Sequence, residues 1–327
     1  MAEPRTAFEV GPRDRGKRLD RFLGERIPGL SRSRIQAAIR TRVHLSWGVR
    51  PRPCTPVRPG GTVRIGATPL VEPPLRVRID ILVRGVGWLA VDKPSGIPVH
   101  PVNRVRENSL IRILRRQEGH ESLRLAHRLD RETSGALLVA GDPVTARALS
   151  LAFERGAVHK EYLALVAGSP SSEEGIIDSP IGPAEGSLVY VRREAGRGQP
   201  AVTAWRVERR FPGRSLLRVF PRTGRRHQIR VHLEAVGHPV LGDPLYGRPD
   251  RDYLDLVRGT RDARREQGAP VRQLLHCARL VFPEPDSGRL LEVGAPLPED
   301  FLRALSADPA GSDPRTELHA PARPETA

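Results

Sequence analysis

Apolar residues recur at helical spacing in two segments near the start of the chain. The residues of RLDRFLGERI that share one helical face are Leu19, Phe22, Leu23 and Ile27. A Pro-Gly pair follows and ends this first predicted helix. In the next segment, SRSRIQAAIRTRV, Ser31 is a favourable N-cap, and Ile35 and Ile39 lie one turn apart on the buried face. From there to about residue 66, β-branched residues alternate with Gly and Pro, which predicts short strands and turns.

Further along, short apolar runs end in turns rich in Gly, Pro and Ser. The segments that predict buried strands are VGWLAVDKPSG, SGALLVAGD, HKEYLALVAG and RSLLRVFPRTG. PVTARALSLAFERG and HQIRVHLEAVG predict helices instead, and in the second one Ile229, Leu233 and Val236 are expected to face inward. Strands and helices mix without a regular alternation, so the pattern predicts an α+β fold rather than a doubly wound parallel sheet.

Stretches without an apolar period separate these regions. Residues 1–16 predict a flexible arm, PLVEPPLRV predicts a linker, and residues 306–327 are rich in Pro, Ala and charge, which is typical of disorder. The predicted organisation is therefore a flexible arm at 1–16, a small domain with its linker at 17–75, a larger domain at 76–305 and a disordered tail at 306–327.

The charge of the chain favours a polyanionic partner. The formal net charge is +16 and the pI is about 11.2. A compositional bias of the source genome explains the preference for Arg over Lys, but it does not explain the excess of positive charge. No apolar run reaches the roughly 18 residues of a membrane span, and the N-terminal residues lack the apolar stretch of a secretory signal. Cys54 and Cys277 are far apart, so we expect no disulfide framework and a reducing, cytoplasmic location.

The small domain carries the most one-sided charge. Between Ser31 and Val71 there is no acidic residue, whereas a solvated face usually mixes both signs. The eight arginines of this stretch are Arg32, Arg34, Arg40, Arg42, Arg50, Arg52, Arg58 and Arg64. RLDRFL, SRSRIQAAIR and RPGGTVRI together resemble the αL RNA-binding domain of small-subunit ribosomal protein S-four type, with Ser46-Trp47-Gly48 where such domains usually have Val-Asn-Gly. We therefore expect the second helix to contact RNA through Arg32, Arg34, Arg40 and Arg42.

The segment HRLDRETSGALLVA, residues 127–140, carries the strongest chemical signal. Taken alone, an Asp before Thr-Ser-Gly is more often a turn former than a catalyst. The whole string, however, resembles the central motif H-R-L-D-x-x-T-S-G of the RluA family of pseudouridine synthases. Other segments agree with that family in order and spacing: VDKPSGIPVHP, HKEYLALV, TGRRHQIRVHLEAVGHPVLGDPLYG and LLHCARLVF. The resemblance implies a catalytic domain with a mixed, largely antiparallel sheet and no cofactor or metal.

The resemblance also implies roles for three catalytic residues. Asp130 matches the family's catalytic carboxylate, which either attacks the anomeric carbon or assists a glycal route. Arg230 matches the cation that keeps this carboxylate ionised; the alternative is an exposed helical residue that pairs with Glu234. Tyr162 matches the tyrosine that stacks on the target base, whereas its position in a strand alone suggests core packing.

Further residues of the same motifs are candidates for contact with RNA. The family flips its target base out of the stack, and Arg128 matches the arginine that fills the vacated space. Arg225 and His227 are candidates for phosphate contact. His127 is expected to orient the loop by hydrogen bonds.

The predicted function is thus the isomerisation of specific uridines in RNA, most simply large-subunit ribosomal RNA, without an obligate protein partner. An RNA-binding protein without catalysis is the alternative, and Asp130, Tyr162 and Arg230 argue against it. A metal-dependent nuclease would need clustered carboxylates, and a nucleotide-binding P-loop is absent from the sequence.

Overall fold

The computed structural model describes residues 6–27, 32–66, 75–102, 105–258, 270 and 272–306. The chain forms two compact units, residues 1–73 and 74–327. The N-terminal five residues, most of the predicted linker and the predicted tail beyond residue 306 lie outside the described residues.

The first unit contains two helices and a three-stranded antiparallel sheet among its described residues. The elements are β1 (Thr6–Glu9), α1 (Leu19–Arg26), α2 (Arg32–Arg42), β2 (Val43–Leu45) and β3 (Thr62–Ile65), with a 3-10 turn at Pro12–Asp14. The strand order is β1-β3-β2. Both predicted helices are confirmed, and their apolar faces pack on residues of the sheet such as Val43 and Val63.

Residues 6–16 correct the prediction of a flexible arm. β1 pairs with β3 along its whole length, and Val10, which follows it, is buried in the core of the first unit. The carboxylate of Asp14 accepts hydrogen bonds from Lys17 and Arg26. A four-residue strand spans too few positions for an apolar period to show in the sequence.

The second unit is built around a large mixed sheet. Its strands are β4 (Asp80–Gly85), β5 (Trp88–Lys93), β6 (Arg124–Leu125), β7 (Ser134–Ala140), β8 (His159–Ala167), β9 (Glu174–Asp178), β10 (Ile181–Pro183), β11 (Arg193–Ala195), β12 (Val202–Phe211), β13 (Arg214–Pro221), β14 (Leu275–Pro283) and β15 (Leu290–Gly294). Its helices are α3 (Leu110–Glu118), α4 (Pro143–Glu154), α5 (Gln228–Ala235), α6 (Asp250–Arg258) and α7 (Glu299–Ser306).

The order of strands in this sheet is β4-β5-β7-β14-β8-β13-β12-β9, with β6 added to β7 and β15 to β14. β7 and β14 are parallel to each other, and the other described pairs are antiparallel. β10 and β11 form a separate two-stranded sheet. The predicted mixed sheet is confirmed. No helix in the described part of the chain is long and apolar enough to cross a membrane.

β7 lies in the interior of the sheet and is buried along its whole length, which explains its continuous apolar run SGALLVA. On one side it pairs with β5 and on the other with β14. Helix α5 packs its Ile229 and Leu233 into the same core, as predicted. Val236 is 43% exposed, contrary to the prediction, because the helix ends at Ala235 and the chain turns there.

Candidate active site

Asp130 lies on the short loop between β6 and β7. Its backbone carbonyl accepts a hydrogen bond from the Thr133 N–H at 3.2 Å, so the Asp-to-Thr segment forms the tight turn that its sequence predicts. The turn is fastened to the loop after β5, since Arg131 Nε donates to the Gly96 carbonyl at 2.8 Å and Gly96 N–H donates back to the Arg131 carbonyl at 2.9 Å. The loop that carries Asp130 is therefore fixed by its own turn and by the neighbouring loop.

The Thr-Ser-Gly part of the motif fits against β14 and the residues just before it. Thr133 Oγ1 accepts from Gln273 Nε2 at 2.7 Å, and the Ser134 hydroxyl lies 2.9 Å from His276 Nδ1. Gly135 has φ +109°, and a Cβ atom there would lie 2.2 Å from the Cys277 carbonyl oxygen. These three residues thus fix the strand that follows Asp130.

Lys93 stabilises the turn that follows Asp130. Its side chain is fully buried, and its ammonium group donates to the carbonyl oxygens of Pro94, Arg131 and Thr133 at 2.7 to 2.9 Å. The three N–H groups of the ammonium thus bind three carbonyl oxygens around one nitrogen atom. A planar guanidinium, which is larger, does not match this arrangement. Burial lowers the pKa of Lys93 to about 7, and the nearby carboxylates Glu132 and Asp130 oppose that shift.

Arg230, on α5, bridges two carboxylates. Its Nη1 donates to Asp130 Oδ2 at 2.8 Å, while Nε and Nη2 donate to the two oxygens of Asp243 at 2.6 and 2.8 Å. Asp243 is itself fixed, because its Oδ1 also accepts from the backbone N–H groups of Leu245 and Tyr246. The alternative pairing of Arg230 with Glu234 is wrong: the Glu234 carboxylate pairs with Arg192.

The electrostatic balance at Asp130 favours the ionised form. Burial by itself would raise the pKa of this carboxyl, but the charge of Arg230, then that of His227, the hydrogen bond from Arg230 and the charge of Arg128 lower the pKa below the usual 3.8. The Asp130 side chain retains 23% exposure, so it faces the cleft while Arg230, at 6%, stays behind it. The site therefore presents a carboxylate that is charged and open to a ligand.

His227 is the residue that precedes α5 and the one non-glycine residue with positive φ among those described, at φ 59° and ψ 17°. Its Nδ1 lies 2.8 Å from the Tyr246 hydroxyl, and its Nε2 lies 4.0 Å from Asp130 Oδ1. Burial lowers the pKa of His227 to about 4, so the ring is neutral at physiological pH. The expected phosphate contact by His227 stays a prediction, and the ring lies beside the carboxylate.

Tyr162 lies on β8 opposite Val219 of β13 and Cys277 of β14. It is 8% exposed and lines the cleft that contains Asp130. Burial raises its pKa well above 10, so the phenol stays protonated. His127 accepts a hydrogen bond from the Leu138 N–H at 3.0 Å, which confirms that it orients the loop before Asp130.

The cleft around these residues has a volume of about 750 Å³. Its lining includes more arginines than carboxylates: Arg128, Arg155, Arg222, Arg225, Arg226 and Arg230, against Asp130 and Glu154. Arg128 and Arg225 are exposed at its wall, and Arg225 Nε donates to the Pro200 carbonyl at 3.0 Å. In the described part of the chain, no group of three or more His, Cys, Asp or Glu side chains is placed to hold a metal ion.

The other RNA-binding candidates lie on α2 in the first unit. Arg32, Arg40 and Arg42 are exposed, and Arg32 Nη2 lies 3.5 Å from Asp20 Oδ2. The side chain of Arg34 lies outside what the structure describes.

The roles of Asp243 and Tyr246 are not predicted from the sequence. Both belong to the segment GDPLYG, which was matched to the family but given no function. Asp243 is 1% exposed and Tyr246 is also 1% exposed, and together they hold Arg230 and His227 against Asp130. A carboxylate in an otherwise apolar, buried stretch was the available signal, since such a group needs a cation.

Comparison with known proteins gives consistent matches. Residues 87–235 match the family model described as RNA pseudouridylate synthase. An uncharacterized RNA pseudouridine synthase of Chloroflexus aurantiacus is 36% identical over 90% of this chain and 91% of its own length. The ribosomal large subunit pseudouridine synthase D of Xanthomonas campestris is 34% identical over 89% of each chain.

A solved structure, human RNA pseudouridylate synthase domain containing 4, is similar in fold. It superposes with a TM-score of 0.54 at 28% identity and covers 69% of this chain and 92% of its own. The first unit, residues 1–73, falls outside the family match.

Proposed function

Because the chain belongs to the RluA-type family of RNA pseudouridine synthases, which are isomerases, we propose that it converts specific uridines of large-subunit ribosomal RNA to pseudouridine, with Asp130 as the catalytic carboxylate. The observation that carries the proposal is the pair of Asp130 Oδ2 and Arg230 Nη1 at 2.8 Å, open to a basic cleft.

The reaction needs a carboxylate and no external group. It breaks the bond between N1 of uracil and the ribose, rotates the base and joins C5 to the same ribose carbon. An ionised Asp130 would act on the activated sugar, either by attack at the anomeric carbon or by removal of a proton on the glycal route. Arg230 keeps the carboxylate charged and aimed into the cleft, because the guanidinium is clamped by Asp243 on its other side.

We propose that the target base leaves its stack in order to reach Asp130, which belongs to the lining of the cleft. A uracil within a helix or a stacked loop cannot reach a carboxylate at the cleft floor, so we propose that the enzyme flips it, at a few kcal/mol. Tyr162 would stack on the flipped uracil, and its protonated phenol keeps the ring neutral. Arg128, exposed at the wall of the same cleft, would fill the space that the base leaves.

We propose that the first unit is an S-four-type RNA-binding domain. Its two-helix arrangement over a small sheet presents Arg32, Arg40 and Arg42 on α2, in a stretch without acidic residues. Exposed arginines that neutralise phosphates supply affinity without sequence choice. Ribosomal RNA as substrate comes from the name of the Xanthomonas relative, and the free Cys54 and Cys277 fit a reducing cytoplasm.

The proposal is tested by mapping pseudouridines in cells that lack this protein. Carbodiimide modification followed by primer extension along the ribosomal RNA reveals each pseudouridine as a stop. We expect one or more stops to vanish on deletion, to return with the wild-type gene and not to return with Asp130→Asn. Glu154→Gln, which alters the other carboxylate of the cleft lining, is the matched control and should restore the stop.

A return of the stop with Asp130→Asn would contradict the catalytic role. If no ribosomal stop depends on the gene, ribosomal RNA is not the substrate and the same map should be made on transfer RNA. Absence of any dependent site in both RNAs would favour an RNA-binding protein without catalysis.

A further inference from the structure

The gap between His227 and Asp130 has the dimensions of a binding site for one oxygen atom. His227 Nε2 and Asp130 Oδ1 are 4.0 Å apart, which is too far for a direct hydrogen bond. An oxygen atom about 2.8 Å from each of them spans that distance. Both atoms belong to residues that line the cleft, so a substrate can reach the gap.

The direction of the hydrogen bonds at His227 follows from Tyr246. The backbone N–H of Arg193 donates to the Tyr246 hydroxyl oxygen at 3.1 Å, and this oxygen lies 2.8 Å from His227 Nδ1. Within the described residues, His227 Nδ1 is the one contact that can accept the Tyr246 proton. Nδ1 is therefore the acceptor, and the proton of the neutral imidazole lies on Nε2.

An N–H at Nε2 also suits its surroundings. It faces the negative charge of Asp130, whereas a lone pair at that position would be repelled by the carboxylate. The gap is therefore bounded by a donor on one side and an acceptor on the other.

The imidazole is held in this place by a constrained backbone. His227 adopts the left-handed conformation, which is uncommon for a residue with a side chain and marks functional sites when the surroundings enforce it. The next residue, Gln228, enforces it: its Oε1 accepts from Arg225 N–H and Thr223 Oγ1, and its Nε2 donates to the Val202 carbonyl and Thr203 Oγ1. These contacts hold the backbone at His227, and the hydrogen bond with the Tyr246 hydroxyl holds its ring.

A group that binds between a donor and an acceptor must itself accept and donate, which a hydroxyl does. The uracil oxygens accept only, and its N3–H donates only. In a uridine inside an RNA chain, O3′ and O5′ are esterified and the ring oxygen carries no proton. The 2′-hydroxyl is the one oxygen atom of such a nucleotide that both accepts and donates, and it is adjacent to the anomeric carbon at which Asp130 is proposed to act.

We propose that His227 Nε2–H and Asp130 Oδ1 together bind the 2′-hydroxyl of the target ribose, so that His227 is a residue that recognises RNA at the reacting nucleotide. This assignment rests on the proposed function. In this assignment the buried imidazole of His227 contacts the ribose of the substrate and not a phosphate. The same contact would seat the ribose with its anomeric carbon over the carboxylate and would be lost with a deoxyribose.

The test compares two synthetic RNA hairpins that contain the mapped target uridine. One hairpin carries uridine at that position and the other carries 2′-deoxyuridine there and ribose elsewhere. Single-turnover rates of pseudouridine formation are measured on both, and the quantity of interest is their ratio. Removal of the hydroxyl also alters sugar pucker and the intrinsic reactivity of the sugar, but those effects are common to all variants and cancel when ratios are compared.

His227→Asn is the informative variant, because asparagine tolerates the left-handed conformation and lacks a donor at the Nε2 position. We expect the uridine-to-deoxyuridine rate ratio to fall by about tenfold or more relative to wild type. Tyr246→Phe keeps the ring and removes the hydroxyl that fixes the imidazole tautomer, so the ratio should fall by less. Arg226→Ala, on the same side of the cleft, is the control and should slow both substrates equally.

A wild-type ratio in His227→Asn and in Tyr246→Phe would overturn the assignment. A separate measurement tests the proposed function: formation of pseudouridine by Asp130→Asn on the uridine hairpin would contradict it. Circular dichroism of each variant before the reaction shows that it is folded.

Discussion

The same residue type has two different environments in this molecule. Arg230 in the cleft is 6% exposed and is engaged by two carboxylates through three of its nitrogens. Arg32 on α2 is 76% exposed and has one carboxylate oxygen at 3.5 Å. The buried guanidinium fixes the geometry of a reacting group, while the exposed one supplies charge.

This difference has energetic consequences. Removing one partner of a buried, hydrogen-bonded ion pair leaves an uncompensated charge and costs about 3 to 5 kcal/mol. An exposed pair contributes about 0 to 1 kcal/mol. Substitutions in the cleft should therefore change both stability and rate, and substitutions on α2 should change affinity for RNA alone.

The largest effect is expected for Arg230→Met. The change leaves Asp243 buried without its cation, so the free energy of unfolding should fall by about 3 to 5 kcal/mol. The rate of isomerisation should fall at least about 100-fold, because Asp130 loses the group that keeps it ionised and aimed. Urea unfolding and release of tritium from C5 of the uridine measure the two quantities, since C5 loses its hydrogen when it joins the ribose.

Arg230→Lys is the matched variant for this measurement. It keeps the charge but cannot bridge two carboxylates with a planar fork, so it should recover part of the stability and little of the rate. Wild-type values for both quantities in Arg230→Lys would mean that the charge at this position matters and the geometry of the guanidinium does not.

A smaller effect is expected for Gly135→Ala, which tests whether the turn after Asp130 is fixed by close backbone contact. The new Cβ would meet the Cys277 carbonyl at a positive φ, so we expect a loss of about 1 to 3 kcal/mol in unfolding free energy. Gly213→Ala is the control, because Gly213 also has positive φ but a Cβ there meets nothing within 4 Å. Equal losses in the two variants would show that the contact with β14 has no cost of its own.

Substitution of Arg32, Arg40 and Arg42 by Gln should have the smallest effect on the enzyme itself. The single-turnover rate at saturating RNA should not change, while the dependence of log K on log salt should become shallower by up to about 0.7 to 0.9 per lost phosphate contact. The same three positions changed to Lys should keep the wild-type salt dependence. A filter-binding titration over several salt concentrations is the measurement, and an unchanged slope with Gln would count against RNA contact by α2.

Asp130 and His227 are each expected to keep one charge state over a range of pH near neutrality. The pKa of Asp130 is lowered below 3.8, so its ionised form contributes stability that is present above 3.8 and is lost only as the pH falls through the lowered value. The pKa of His227 is lowered from 6.5 to about 4, so the imidazole also stays in one form. The pH–rate profile should therefore be flat from about pH 5 to about pH 8 with respect to both groups. A step near 6.5 that disappears in His227→Asn would contradict the buried, neutral imidazole.

The sequence was sufficient where one local pattern decides the structure. The apolar period of α1 and α2 and the continuous apolar run of β7 are both confirmed. The resemblance also named Asp130, Tyr162 and Arg230, which the structure brings to one cleft. By contrast, β1 is too short to show a period and β12, with its VTAWRVERRF, carries arginines where a buried strand would be apolar.

What the sequence did not predict depends on contacts between distant segments. Asp243 lies 13 residues after Arg230 in the chain, yet it clamps the guanidinium. The left-handed backbone of His227 is enforced by Gln228 through β12, which no local pattern contains. The Thr-Ser-Gly motif resembles a functional signature, and its three residues fit against β14 and against Gln273 just before that strand.

The catalytic role of Asp130 is tested most directly by a single-turnover reaction of purified Asp130→Asn beside wild type on the same RNA, with RNA affinity measured on the same samples. Asparagine keeps the size of the side chain and removes its charge. We expect tritium release to fall by at least about 1,000-fold while the affinity for RNA is unchanged. Release within about tenfold of wild type would contradict the assignment of Asp130 as the catalytic carboxylate.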